Sequence, residues 1–315
     1  MKFGIQHPNY TYDGRGLQLE DTLQNLVKKS EELGYDSFWV MDHLHQIPNV
    51  GRPEEPMLEG WTTISVLSGW TSRIKLGTLV TANSYRHPSL LAKMGATLDV
   101  LSKGRLFMGI GAAWNDEEAR AYGIPFPPTG ERLGRLEEAV QIIKKMWLED
   151  RASFEGEYYR LRDAYCNPKP IQKPHPKILI GGGGEKRTLR IAAKYADASN
   201  FFGSPKTVKR KLEILRGHCD EVGRDYSSIM KTKLTITLID DDPEKIKKQV
   251  GRLENVMGRE MVREEAIFGS PEEVERQVAE FRDVGIEYLI SSFTPGSEPK
   301  CITLFAEKVM PKFLS

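Results

Sequence analysis

Little in this chain points to a staple, a membrane or a nucleic acid. Its 315 residues hold three cysteines, Cys166, Cys219 and Cys301, far apart and in no CxxC spacing. That argues against a disulfide framework or a zinc knuckle, and reduced thiols are expected. No apolar run approaches the roughly 18 residues of a transmembrane helix, and the N-terminus goes directly into strand-like sequence without a signal region. A cytoplasmic protein with no membrane partner is expected. The formal net charge is only +1, so the concentrated basic face that a nucleic acid needs is not expected. Lys206, Lys209, Arg210 and Lys211 do cluster, but on an amphipathic pattern that reads as a solvated helix face. No GxGxxG opens the first helix and no GxxxxGK[ST] occurs, which leaves an open dinucleotide-binding sheet or a P-loop with little support.

What is present is an alternation. Strand-like runs fall at 3–7, 37–41, 74–82, 105–111, 177–181, 196–202, 229–239 and 287–293, with helical patterns between them. Leu133, Leu136, Val140, Ile143 and Trp147 share one helical stripe. Ser204-Pro205 starts a helix that Gly223 closes, Ser270 with Glu273 forms a capping box, and Gly34 and Gly285 sit at helix C-termini. Eight such units without a break in composition predict an α/β chain folded as a single (β/α)8 TIM barrel over residues 1–315. The stretch 151–176, before the fifth strand, breaks the rhythm with prolines at 168, 170, 174 and 176. It reads either as a lid folded back over the barrel mouth or as an outer bracing hairpin.

Polar residues collect where the strands end, the face on which barrels carry their chemistry. They include Gln6 and His7, then Asp42, His43 and His45, then Thr81, Asn83, Arg86 and His87, and later Trp114 and Asn200. Four of the six histidines lie at these ends. Two chemistries compete. The HxH pair His43 and His45 suits a metal-dependent hydrolase, but no later strand end supplies the remaining ligands. The alternative is a large planar cofactor carrying a phosphate. Gly181, Gly182, Gly183 and Gly184 would offer backbone N–H groups ahead of a helix N-terminus, with Lys186 and Arg187 adding charge. Tight packing of strand on helix is the other explanation for those glycines.

Seven motifs in order resemble one family: SFWVMDH at 37–43, LGTLVT at 76–81 with YRHP at 85–88, TLDVLSKGR at 97–105, GIGAAW at 109–114, NPKP at 167–170, PKILIGG at 176–182 and YAD at 195–197. Together they resemble the bacterial-luciferase-like barrel enzymes, in their deazaflavin (coenzyme F420)-dependent oxidoreductase branch. The resemblance implies the same eightfold barrel, with Asp42 and His43 beside the deazaflavin ring as the catalytic pair. It places Leu79 and Val80 behind the ring, with a cis peptide between them. Thr78, Thr81, Asn83, Gly111, Ala112 and Asn200 would bind the cofactor with the four glycines, Gly182 and Gly183 holding its phosphate. His7, Trp61 and Trp114 are candidate substrate contacts, with Phe126 nearby.

Within that branch, sugar-phosphate dehydrogenases carry a carboxylate where this chain has Trp114 and a tryptophan where it has Ile47. Both departures favour a less polar substrate. The expectation is an F420-dependent oxidoreductase moving a hydride to or from a small organic molecule. Lys169, Lys173 and Lys177 are candidates for meeting a charged cofactor tail. The alternatives are an FMN-dependent monooxygenase on the same fold, a metal-dependent hydrolase, or a barrel that binds flavin without turnover. A homodimer is the candidate assembly.

Overall fold

Each apolar run becomes one strand of a parallel barrel, and each amphipathic stretch a helix laid against it. The computed structural model describes residues 1–12, 18–293 and 298–314. Its strands are β1 (Lys2–His7), β2 (Ser37–Val40), β3 (Lys75–Thr78), β4 (Thr81–Ala82), β5 (Met108–Gly111), β6 (Ala152–Glu155), β7 (Arg160–Ala164), β8 (Ile178–Gly181), β9 (Ala198–Phe201), β10 (Met230–Ile239), β11 (Ala266–Gly269) and β12 (Tyr288–Phe293). The helices are α1 (Leu19–Glu32), α2 (Gly60–Trp70), α3 (Pro88–Leu101), α4 (Asp116–Ala121), α5 (Thr129–Leu148), α6 (Thr188–Tyr195), α7 (Pro205–Val222), α8 (Pro243–Met257), α9 (Arg259–Glu265), α10 (Pro271–Asp283) and α11 (Glu298–Leu304).

The main sheet runs β3-β2-β1-β12-β10-β9-β8-β5-β4, with β11 paired to β10. Its pairings are parallel. The path closes because β3 and β4 are two halves of the third expected strand. Leu76 pairs with Leu106 just ahead of β5, donating to the Arg105 carbonyl and accepting from the Phe107 N–H, both at 2.9 Å. Thr81 and Ala82 then pair with Ile110 and Gly111. Between the halves the Leu79-Val80 peptide is cis, as expected. The result is the expected (β/α)8 barrel.

Side chains fill the lumen. Trp39, Phe107, Leu179, Tyr288 and Ile290 pack there, with the Trp39 and Phe107 ring centroids 5.0 Å apart. A larger core lies between barrel and helices, to which α1 gives Leu23, Leu26 and Val27, and α5 gives Leu136, Val140, Ile143 and Trp147. The expected capping box of Ser270 and Glu273 opens α10. Gly34, Gly223 and Gly285 take positive φ values of 83°, 68° and 108° beyond their helices. Ser204 precedes α7, but its hydroxyl donates to Glu264 at 3.1 Å and Thr207 at 3.3 Å instead of capping the helix.

One feature differs from expectation, and one open alternative is resolved. β11 is an added strand: its four residues pair with 236–239 of β10, and a run that short, wedged between α9 and a capping box, has no readable periodicity. The insertion at 151–176 forms the antiparallel β6–β7 hairpin on the flank of α5. There Glu138 accepts the backbone N–H groups of Glu157, Tyr158 and Tyr159 at 2.7, 3.1 and 3.0 Å. The hairpin braces α5, and no residue of 151–176 lines the cavity described below. Among the described residues, no helix is long and apolar enough to cross a membrane.

Candidate active site

The C-terminal strand ends enclose a cavity of about 410 Å³, within the roughly 300–1,000 Å³ usual for small-molecule sites. A wider depression of about 610 Å³ lies at the opposite end, beside Lys2, Lys177, Asp197 and Glu287. The first is the candidate site, because barrel chemistry belongs to the strand C-termini.

Leu79 and Val80 form one wall of the cavity. Val80 fits there because its neighbours have no side chains. An added Cβ at Gly181 would stand 2.8 and 2.9 Å from its two γ-carbons, and one at Gly111 would stand 2.8 Å from Cγ2. Gly181 is therefore a packing glycine. Gly182 has a different reason, a φ of +116° that residues with a Cβ rarely adopt. A Cβ at Gly183 would lie 2.7 Å from the Lys211 Nζ, whose ammonium donates to the Phe202 carbonyl at 3.2 Å.

Lys211, expected on a solvated face, thus brings its charge to the glycine loop. Arg187 was expected to add charge there, but it donates to the Gly130 carbonyl at 2.7 Å. A turn at 185–187 separates the glycines from α6, which begins at Thr188. Lys169 donates to the Met146 carbonyl at 2.8 Å near the end of α5, and Lys177 borders the opposite face. Neither is placed to meet a ligand in this cavity.

His43 lines the cavity beside Trp114, an edge-on pair with ring centroids 5.5 Å apart. Its Nδ1 lies 2.7 Å from Glu118 Oε2. Glu118 is fully buried, on α4, and its role was not read from the sequence. The Tyr85 hydroxyl also donates to Oε2, at 2.7 Å, and Oε1 accepts the N–H groups of Leu44 and, at 3.3 Å, of His45. Burial pushes the Glu118 carboxyl up, but His43, Tyr85 and the Leu44 amide outweigh it and hold it below the usual range.

Asp42, also on the cavity wall, is bound elsewhere. Its carboxylate accepts the Ala82 N–H at 2.9 Å and both arms of Arg86 at 2.7 and 2.9 Å. Arg86 in turn pairs with Glu59. Burial raises the Asp42 carboxyl, while the Arg86 fork and the Ala82 amide pull it down. Bidentate pairs of this kind are strong and directional, so Asp42 fixes the loop after β4 against β2.

The other expected site residues divide. Ala112, Gly184 and Asn200 line the cavity, and Asn200 Oδ1 accepts from Thr232 at 2.9 Å. Thr78, Thr81 and Trp61 bond to one another beneath it. The two hydroxyls are 2.5 Å apart, and the Trp61 indole donates to Thr81 at 3.1 Å. Trp61 is packed in the core and is not among the residues lining the cavity, where a substrate contact would be.

Asn83 is buried, its N–H donates to Gly111 at 2.9 Å, and its Oδ1 has no protein partner. His7 also lies off the cavity wall. Its Nε2 is 2.6 Å from the Tyr12 hydroxyl, and burial pushes its pKa down to about 3, so the ring is neutral. Of the four strand-end histidines, His43 alone lines the cavity. His45 Nδ1 faces the Gln46 carbonyl at 3.0 Å and His87 caps α3, so the HxH pair does not share a ligand position. Among the described residues, no three metal-ligating side chains cluster.

Comparison with known proteins places this geometry. A family model described as luciferase-like monooxygenase matches residues 1–257. An F420-dependent glucose-6-phosphate dehydrogenase of Kineococcus radiotolerans is 29% identical, covering 92% of each chain. One of Amycolatopsis mediterranei is 26% identical over 90% of this chain and 92% of its own. The coenzyme F420-dependent tetrahydromethanopterin reductase of Methanopyrus kandleri superposes with a TM-score of 0.81 at 20% identity, over 99% of both chains. An F420-dependent secondary alcohol dehydrogenase does so at 0.83 and 20%, over 98% of this chain and 99% of its own.

Proposed function

Because the chain belongs to the luciferase-like monooxygenase family, we propose that it is an F420-dependent oxidoreductase, moving a hydride between the deazaflavin and a small organic substrate. One observation carries the reading. A single cavity is lined by the apolar Leu79 and Val80, by Gly181, Gly182 and Gly184, and by His43. The relatives named as F420-dependent dehydrogenases support the choice of cofactor.

The residues fit such a group. Asn83, which follows the cavity-lining Ala82 but does not itself line the cavity, has a buried Oδ1 with no protein partner, a state that calls for one. The left-handed Gly182 and the side-chain-free Gly183 beside Lys211 suit an anion held by backbone N–H groups. Leu79 and Val80 would take the ring, and the glycine loop with Lys211 the phosphate. The deazaflavin supplies the hydride chemistry.

The chain's own contribution is positional and protolytic. The apolar wall excludes water, which strengthens every polar contact inside. Asp42, tied to Arg86, holds the strand end that carries His43. His43 takes or gives the proton that accompanies the hydride. The relatives' names point to a sugar phosphate. In this chain Trp114, Leu133 and Phe202 face the cavity, and a less polar substrate fits that wall better.

The proposed setting is cytoplasmic and the proposed assembly a homodimer. For the latter, α2 carries no charged residue, and Val66, Leu90 and Leu101 on α2 and α3 are 46, 55 and 71% exposed. The function is tested by offering F420 with a panel of alcohols, and reduced F420 with ketones and enones. His43→Phe should slow single-turnover hydride transfer by roughly 10²–10⁴-fold while cofactor affinity stays nearly unchanged. Oxygen-dependent turnover with FMN, and none with F420, would overturn the reading.

A further inference from the structure

We infer that Glu118 is the positioning residue that decides which nitrogen of His43 handles the proton, an inference that rests on the role given to His43 above. Four groups converge on its carboxylate: the His43 ring, the Tyr85 hydroxyl and the amides of Leu44 and His45. The carboxylate is fully buried, so those groups take the place of water. An ionised carboxylate only accepts. Two of its neighbours are backbone N–H groups and the third is a hydroxyl, all of which donate. The ring nitrogen 2.7 Å away must therefore carry a proton too, because a bare Nδ1 would set two lone pairs against each other.

Neutral His43 is then the Nδ1–H tautomer, and Nε2 holds the lone pair. When the ring takes a second proton, that proton goes to Nε2, and it is the one returned. In either direction of the redox reaction the exchangeable proton sits on one atom. A histidine whose second nitrogen is held by a carboxylate is a recurring way to orient a catalytic base. Tyr85 shares the arrangement: it lines the cavity and donates to the same Oε2 as His43, which fixes that oxygen against rotation. The bland alternative is that Glu118 merely anchors the backbone at 44–45, which it also contacts.

The two roles separate in a measurement that needs no cofactor. Protein labelled with ¹⁵N-histidine carries six histidines, and His43 is assigned by the signal lost in His43→Gln. The expected spectrum at a pH where His43 is neutral shows a protonated Nδ1 and a bare Nε2. The opposite tautomer, or an even mixture, overturns the inference whether or not F420 binds. Glu118→Gln keeps an oxygen for the two amides but removes the charge. It should redistribute the tautomers and lower turnover by about 10²-fold or more with KM little changed, and Glu118→Asp should recover part of the loss. An unchanged spectrum and an unchanged pH–rate profile in a folded Glu118→Gln would leave Glu118 an anchor. If that variant does not fold, the wild-type spectrum alone decides. Loss of F420 turnover with the expected tautomer in place counts against the cofactor assignment and not against the role of Glu118.

Discussion

Val80 sits between two backbones that have given up their side chains for it, and that packing can be measured. Gly181→Ala would put a methyl 2.8 and 2.9 Å from the Val80 γ-carbons, where carbon atoms normally rest about 3.5–4.0 Å apart. Retreat towards β5 meets the Gly111 backbone, where an added Cβ would stand 2.8 Å from Cγ2, so Val80 must yield towards the cavity it lines. Overpacking of this kind costs about 1–3 kcal/mol. Val80→Ala alone removes two methyl groups, worth up to about 1.6 kcal/mol at about 0.8 each when fully buried, and less here because Val80 is half-buried. In the double variant the shortened side chain opposite leaves space for the new methyl, so most of the Gly181→Ala penalty should vanish. The coupling recovered should be about 1–3 kcal/mol. Urea unfolding of all four proteins, read at a common slope, gives the cycle. Additivity within about 0.5 kcal/mol would show that Gly181 is not there for Val80.

Two further outcomes follow from other parts of the site. Burial holds His7 near a pKa of about 3, against roughly 6.5 unfolded. As pH falls the unfolded chain takes the proton first, so stability present above about pH 6.5 is lost towards pH 3, by up to about 1.4 kcal/mol per unit. His7→Phe should flatten that slope between pH 6.5 and 4, and equal slopes would contradict it. At the glycine loop, Gly182→Val and Lys211→Met should each weaken F420 binding at least tenfold. Unchanged dissociation constants would make the loop a packing feature and Lys211 a surface residue.

The barrel was legible because each strand is a compact run of β-formers followed by an amphipathic stripe, a pattern that survives without tertiary information. β11 was not, since four residues carry no period. Of the expected site residues, Asp42, His43, Leu79, Val80, Gly181, Gly182 and Gly184 do come together around one cavity. Which glycine serves which purpose was not legible, because Val80 reaches Gly181 only once the barrel closes. Glu118 gave no signal, being one of three acids in the first turn of a short helix. Its meaning depends on His43, 75 residues away. Lys211 shares a helix pattern with three other cations, and only the docked position of α7 singles it out. Trp61, Thr78 and Thr81 sit differently. Their types suit a ligand, but they satisfy one another below the cavity.

The central claim is that this cavity holds a deazaflavin, and equilibrium titration of the purified protein with F420 and with FMN tests it directly. The wall at Leu79 and Val80 and the glycine loop beside Lys211 predict saturable binding of a flat ring carrying a phosphate, and the F420-dependent relatives predict that F420 binds at least tenfold tighter than FMN. Tighter binding of FMN, or no saturable binding of F420, would contradict the account.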